Sequence, residues 1–148
     1  MTIPGTVGEI LAHKSEVWTV APTDKVLQAI RMMAEKNVGA LPVMENGRLV
    51  GVISERDYTR KVALKGRSSR ETPVRDIMTS SPQTATPANT VVDCMHLMTK
   101  NKVRHLPVLD GEEMVGIVSI GDLVNWVISA QNVAIDQLES YIFGAMIG

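Results

Sequence analysis

Residues 19–58 of this chain are written a second time, 65 positions later, as residues 84–123. Twelve of those 40 pairs are identical, among them Pro22/Pro87, Met33/Met98, Leu41/Leu106, Pro42/Pro107, Gly51/Gly116, Ser54/Ser119 and Asp57/Asp122. Ordinary residue usage would give roughly two or three. Upstream the match resumes as VGEIL at Val7 against VRDIM at Val74, with two residues fewer before Thr84 than before Thr19. Such a duplication is a strong constraint on the fold, because a unit of this length cannot cover its own apolar face and must stack on its copy.

Periodicity orders the elements within each copy. A short extended segment, Thr19-Val20 or Thr84-Ala85, is closed by Pro22 or Pro87. A helix follows, since Val26, Ala29, Ile30 and Met33, and then Val91, Cys94, Met95 and Met98, recur at i, i+3, i+4 and i+7. Asp24 and Asn89 are the expected N-caps. Asn37 and Asn101 stand near the helix ends, where a left-handed residue is tolerated. Two strands come next, VGALPVM with LVGVI and VRHLPVL with MVGIV, joined through the hairpin signals Asn46-Gly47 and Asp110-Gly111. Pro42 and Pro107 cannot donate to a ladder, which predicts an edge position or a strand end.

The strands give way at Ser54 and Ser119 to a second helix. The predicted class is α+β: two β-α-β-β-α units packed about a pseudo-twofold axis. The expected boundaries are 7–62 for the first unit, 63–73 for a linker, 74–130 for the second unit and 131–148 for a C-terminal helical extension. Ile135, Leu138 and Ile142 give that extension an apolar face, to be packed on the module or on a second subunit.

With 15 Lys and Arg against 16 Asp and Glu, the net charge of −1 supplies no overall pull toward nucleic acid or an acidic membrane. The single cysteine, Cys94, can form no intrachain disulfide, which suits a reducing compartment. The N-terminus has no basic segment followed by an apolar core, and no apolar run approaches the ~20 residues of a bilayer crossing. A soluble, cytoplasmic protein is the expectation. His13, His96 and His105 have no metal-ligand spacing, and neither a nucleophile-base-acid set nor a Walker-type loop is legible, so the chain is not expected to be an enzyme.

The candidate chemistry sits in GVISERD at Gly51 and GIVSIGD at Gly116. Serine followed three residues later by an acid has the form of a capping box, which needs no ligand. The same aspartate, Asp57 or Asp122, could accept hydrogen bonds from vicinal ribose hydroxyls, with Ser54 or Ser119 assisting at the sugar or phosphate. Gly51 and Gly116, inside β-branched strands, mark places where another backbone or a ligand comes close. The copies differ at Arg56, which faces Gly121 in the alignment, and at Arg104-His105, which face Gly39-Ala40. Arginine suits bidentate phosphate contact and histidine adds a donor, although a solvated arginine and a core histidine would also account for them.

These residues identify a resemblance. NVGALPVMENGRLVGVISERDY and KVRHLPVLDGEEMVGIVSIGDLV, with the leading VRDIMT, resemble a tandem pair of cystathionine-beta-synthase (CBS) domains, a Bateman module, over about Val7 to Val127. The resemblance implies a disc-like pair with two clefts for adenosine-containing ligands: AMP first, then ATP or ADP, NAD or S-adenosylmethionine. It implies a regulatory role and homodimerisation, with a protein target possible. Carried over by position, the pocket walls are Trp18, Thr19, Val38, Gly39 and Ala40 in the first copy, and Thr79, Gln83, Thr84, Val103, Arg104 and His105 in the second. Core packing for Val38 and Val103, and burial for Trp18, are the structural alternatives. Phosphates can cross toward the opposite copy, so the cleft served by Arg104 and His105 stays open at this level. The contrasting expectation is a dimeric adaptor that ignores nucleotides. A basic run of Arg56, Arg60, Lys61, Lys65, Arg67 and Arg70 reads as a solvated face, and nucleic-acid binding through it is the weakest alternative.

Overall fold

The computed structural model of the protein describes residues 3–14 and 16–147. The first repeat supplies α1 (Val7–Ala12), α2 (Val26–Lys36), the strands β1 (Ala40–Glu45) and β2 (Arg48–Ser54), and a short α3 (Glu55–Tyr58) that widens into a π-turn at Thr59–Ala63. The second supplies a 3-10 turn at Val74–Asp76, then β3 (Thr79–Ser80), α4 (Val91–Asn101), β4 (His105–Asp110), β5 (Glu113–Ser119) and α5 (Ile120–Ile147). Among the described residues the sheets are β1-β2-β3 and β4-β5, both antiparallel. The mixed α+β class with a C-terminal helix is as expected.

Backbone conformation obeys the 65-residue offset more strictly than residue chemistry does. Asn37 and Lys102 are the left-handed C-caps, at φ 55° and 54°. The second cap is therefore one residue beyond Asn101, whose side chain turns back to donate to the Leu97 carbonyl. The hairpin turns are Asn46-Gly47 and Gly111-Glu112, so the second lies one residue after the expected pair. The N-caps are Lys25 and Thr90 rather than Asp24 and Asn89. Asp24 and Asn89 instead close the preceding turn, accepting from the Ala21 and Thr86 amides at 2.8 Å each. Both first strands shrink to one parallel bridge, Val20 to Val43 and Ala85 to Val108. Those bridges cover the outer edges of β1 and β4, and there the Pro42 and Pro107 carbonyls accept from the Val20 and Ala85 amides.

The repeats exchange their leading segments. Val7 and Ile10 are buried in a core with Ala85, Val91, Cys94, Met98, Leu106, Val108, Val118 and Leu123. Val74 and Ile77 are buried in the matching core with Val26, Ala29, Met33, Leu41, Val43 and Ile53. The hydrogen bonds are equally reciprocal: the Val7 and Gly8 amides donate to the Asn89 and Pro87 carbonyls, while Val74 and Arg75 donate to Asp24 and Pro22. Each core is thus completed by residues from the other repeat, and burying a side chain such as Ile77 contributes about 1.5–3 kcal/mol to holding the two together.

Helix α5 runs unbroken through residue 130, so the expected extension continues the second repeat's last helix; its final residue, Gly148, lies outside the described residues. Ile135, Leu138 and Ile142 are about half exposed, so the module itself does not cover them.

Candidate functional site

Gly51 and Gly116 serve the exchange. A Cβ on Gly51 would stand 2.7 Å from Sδ of Met78 and 2.9 Å from the Thr79 carbonyl; on Gly116 it would stand 2.8 Å from Cδ2 of Leu11. The close approach anticipated at these glycines is therefore that of the other repeat's leading segment.

Ser54 and Asp57 form a complete capping box at the start of α3. The Ser54 amide and hydroxyl donate to Oδ2 of Asp57 at 2.9 and 3.0 Å, and the Asp57 amide donates to Oγ of Ser54 at 3.2 Å. Nζ of Lys61 stands 3.0 Å from Oδ1. Ser119 and Asp122 repeat the box at α5, with the Ser119 amide 2.8 Å from Oδ2 of Asp122 and the Asp122 amide 3.1 Å from Oγ of Ser119. The capping duty is real at both positions, and each carboxylate, with about four lone-pair directions, retains acceptor capacity.

In front of the first box lies a cavity of about 910 Å³ walled by both repeats. The first repeat contributes Gly39, Val52, Ser54, Glu55, Arg56, Asp57 and Arg60. The second contributes Thr79, Pro82, Asn101, Lys102, Val103, Arg104 and His105. Arg104 and His105 therefore face the cleft of Ser54 and Asp57. The geometry follows from pairing: β3 lies on β2 with Thr79 opposite Val52, and the Glu55 amide donates to the Gly39 carbonyl, drawing α3 over the start of β1. A Cβ on Gly39 would lie 3.2 Å from Nε2 of His105, so the small residue makes room for the imidazole of the other repeat. Arg56, Arg60, Lys102 and Arg104 place four cationic side chains on the wall against Glu55 and Asp57. Arg56 also reaches the Lys102 carbonyl with Nη1 at 3.4 Å.

Burial pushes the His105 imidazole below its ordinary value; the Asp122 carboxylate opposes this, while Lys14 and Arg104 add to it. His105 is thus a neutral donor and acceptor near neutral pH. For Asp122, burial pushes the carboxyl up, but Lys14 and the Ser119 donors outweigh it and hold the group below the usual range.

Eight of the sixteen expected residues are gathered at this cavity: Gly39, Ser54, Arg56, Asp57, Thr79, Val103, Arg104 and His105. The rest lie elsewhere. Trp18 and Val38 pack on the first core, with Nζ of Lys36 4.1 Å from the Trp18 ring centroid. Ala40 is buried, Thr19 and Gln83 are exposed, and Thr84 is half-buried. Ser119 and Asp122 stand at the start of α5, outside this cavity. Sequence reasoning passed over Val52, Glu55, Pro82, Asn101 and Lys102 as pocket residues. Lys102 had a signal, being the partner of Asn37 under the repeat offset.

Two stacked repeats, reciprocally completed cores and a cationic cleft before a Ser-x-x-Asp box define a tandem module with a cleft between its repeats. The CBS domain family pattern matches residues 7–64 and again 74–129, and the chain belongs to that family as a tandem pair. It is 40% identical over 149 residues to CBS domain-containing protein CBSX3, mitochondrial, of Arabidopsis thaliana, covering 94% of this chain and 72% of that protein. A CBS-domain protein from Burkholderia ambifaria MC40-6 superposes with a TM-score of 0.82 at 46% identity, over 85% of this chain and 96% of the other. CBSX2 in complex with AMP superposes with a TM-score of 0.73 at 27% identity, over 86% and 99%. Among the described residues no helix is long and apolar enough to cross a membrane.

Proposed function

We propose that this chain is a regulatory sensor whose cleft at Ser54 and Asp57 binds an adenosine-containing ligand, AMP foremost, with ATP, ADP, NAD and S-adenosylmethionine as the other candidates. The observation that carries the reading is the cavity itself: it holds the acceptor box with Arg56 and Arg60 on one repeat and Lys102 and Arg104 on the other, so one ligand touches both. Asp57 receives the ribose hydroxyls and Arg56, Arg60, Lys102 and Arg104 receive phosphate. Thr79, Val103 and the Gly39 backbone line the base. The AMP complex of CBSX2, a fold relative, supports the same ligand class.

A ligand spanning two repeats shifts their packing only by its difference in affinity between packings, and a partner or second subunit reads that shift. The role is regulatory rather than catalytic. The buried Cys94 thiol, pushed up to about 11 by burial and then by Asp93, is an inert core residue. Calorimetric titration of the full chain with the five candidates tests the proposal; absence of heat from every one at millimolar concentration overturns it.

The exposed face of α5 favours a second reading, a self-associating adaptor. Ile128, Ile135 and Ile142 recur at seven-residue spacing, with Val124 one turn before the first and Leu138 between the last two, the pattern of a helix seam that pairs with another copy. A dimer that forms with or without nucleotide, and binds none, would select it.

A further inference from the structure

The second cleft is not a copy of the first, and one side chain makes the difference. In the first cleft the edge of β2 is taken by backbone, Thr79 opposite Val52. The matching stretch of the first repeat, between Leu11 and Thr19, is two residues longer. There α1 continues to Ala12, and the edge of β5 is met by the Lys14 side chain instead. Nζ of Lys14 donates at 2.9 Å to the carbonyl of Ile117, the residue that matches Val52, and at 2.8 Å to Oδ2 of Asp122. Beside Lys14 lies a cavity of about 160 Å³, bounded by Leu11, Lys14, Glu16, Val17, Val115 and Ile117. Ligand pockets commonly run from about 300 to 1,000 Å³.

We propose that Lys14 is a built-in occupant of the second cleft: its ammonium takes the place at Asp122 that a ribose would take, and restricts the chain to a single nucleotide. The inference rests on the nucleotide reading of the clefts. Asp57 carries an ion pair as well, to Lys61 on Oδ1, but Lys61 stands four residues along from its own carboxylate, whereas Lys14 enters from the segment that answers to the Thr79 and Pro82 wall of the open cavity. The pair joins the segment after α1 to the start of α5, so Lys14 also ties the exchanged leading segment to the last helix.

The test counts AMP sites by calorimetry on the full-length chain and its variants. The expected results are one site in the parent chain, two in Lys14→Ala, and a return to one when Asp122→Asn is added to Lys14→Ala. Lys14→Arg, which keeps the cation, remains at one. The gain is the diagnostic quantity: no site in the parent and one in Lys14→Ala would uphold the lysine plug while refuting the reading of the open cleft. An unchanged count in Lys14→Ala, or two sites already in the parent, overturns the proposal. A third of the Lys14 side chain is exposed and its removal is expected to leave cooperative unfolding intact. Should Lys14→Ala fail to fold, Lys14→Gln, which removes the charge and keeps a polar side chain, must show the same added site.

Discussion

Nζ of Lys61 lies 3.0 Å from Oδ1 of Asp57 and donates at 2.9 Å to the Ile77 carbonyl, so the first box is tied directly to the segment that the second repeat inserts into the first core. Asp57 is thus at once a helix cap, a link between repeats and the acceptor facing the cavity.

Asp57→Ala is expected to cost about 1–2 kcal/mol in urea unfolding through loss of the cap. It is also expected to weaken AMP binding at least about tenfold, the loss of a charged acceptor to the ribose. Lower stability with unchanged affinity would reduce Asp57 to its structural duty.

The glycines in the two strands should respond unequally. Gly51→Ala drives a Cβ against the Thr79 carbonyl as well as the Met78 sulfur, and backbone cannot step aside as a side chain can. A loss of about 1–3 kcal/mol, typical of overpacking, is expected. Gly116→Ala meets only the end of Leu11, which can turn away, and should cost clearly less. Equal losses in parallel denaturation curves would contradict this account.

Exchange of the leading segments has a local signature. Ile77→Ala, a change in the second repeat's sequence, is expected to cost about 2–5 kcal/mol. Its effect on amide hydrogen exchange should appear first in β1 and β2, whose core Ile77 completes, before β4 and β5. Faster exchange confined to β4 and β5 would refute the reciprocal arrangement.

Stability should fall as the solution is acidified through the histidine range. His105 is depressed in the folded chain, whereas the unfolded chain titrates near about 6.5. Between those values the unfolded state holds the extra proton, so this contribution is complete above about pH 6.5 and is lost as pH falls through the folded value. The urea midpoint is expected to drop between about pH 7.5 and about pH 5.5 in the parent and to drop less in His105→Asn. Asp122, also depressed, adds a loss of the same sign in the carboxylate range.

The apolar seam of α5 predicts self-association. Replacing Ile135 and Leu138 with Asp is expected to shift sedimentation toward the monomer without moving the unfolding midpoint, since both side chains are already half exposed. An unchanged sedimentation profile would assign that face no role in assembly.

Sequence by itself determined the duplication, the helix stripes, the hairpins and both Ser-x-x-Asp boxes. Each of these is written in local spacing, and the offset even carries Asn37 onto Lys102 and Lys25 onto Thr90 where residue chemistry pointed one position away. Only the tertiary structure decided that Val74 and Ile77 fill the first core while Val7 and Ile10 fill the second. An apolar pattern records that a residue is buried and not against which copy. The same holds for the clefts: two extra residues before Thr19 were visible as a gap in the alignment. That the gap swings the Lys14 ammonium onto Asp122, while Arg104 and His105 cross to the opposite cleft, depends on distances between segments far apart in the chain, 108 residues in the case of Lys14 and Asp122.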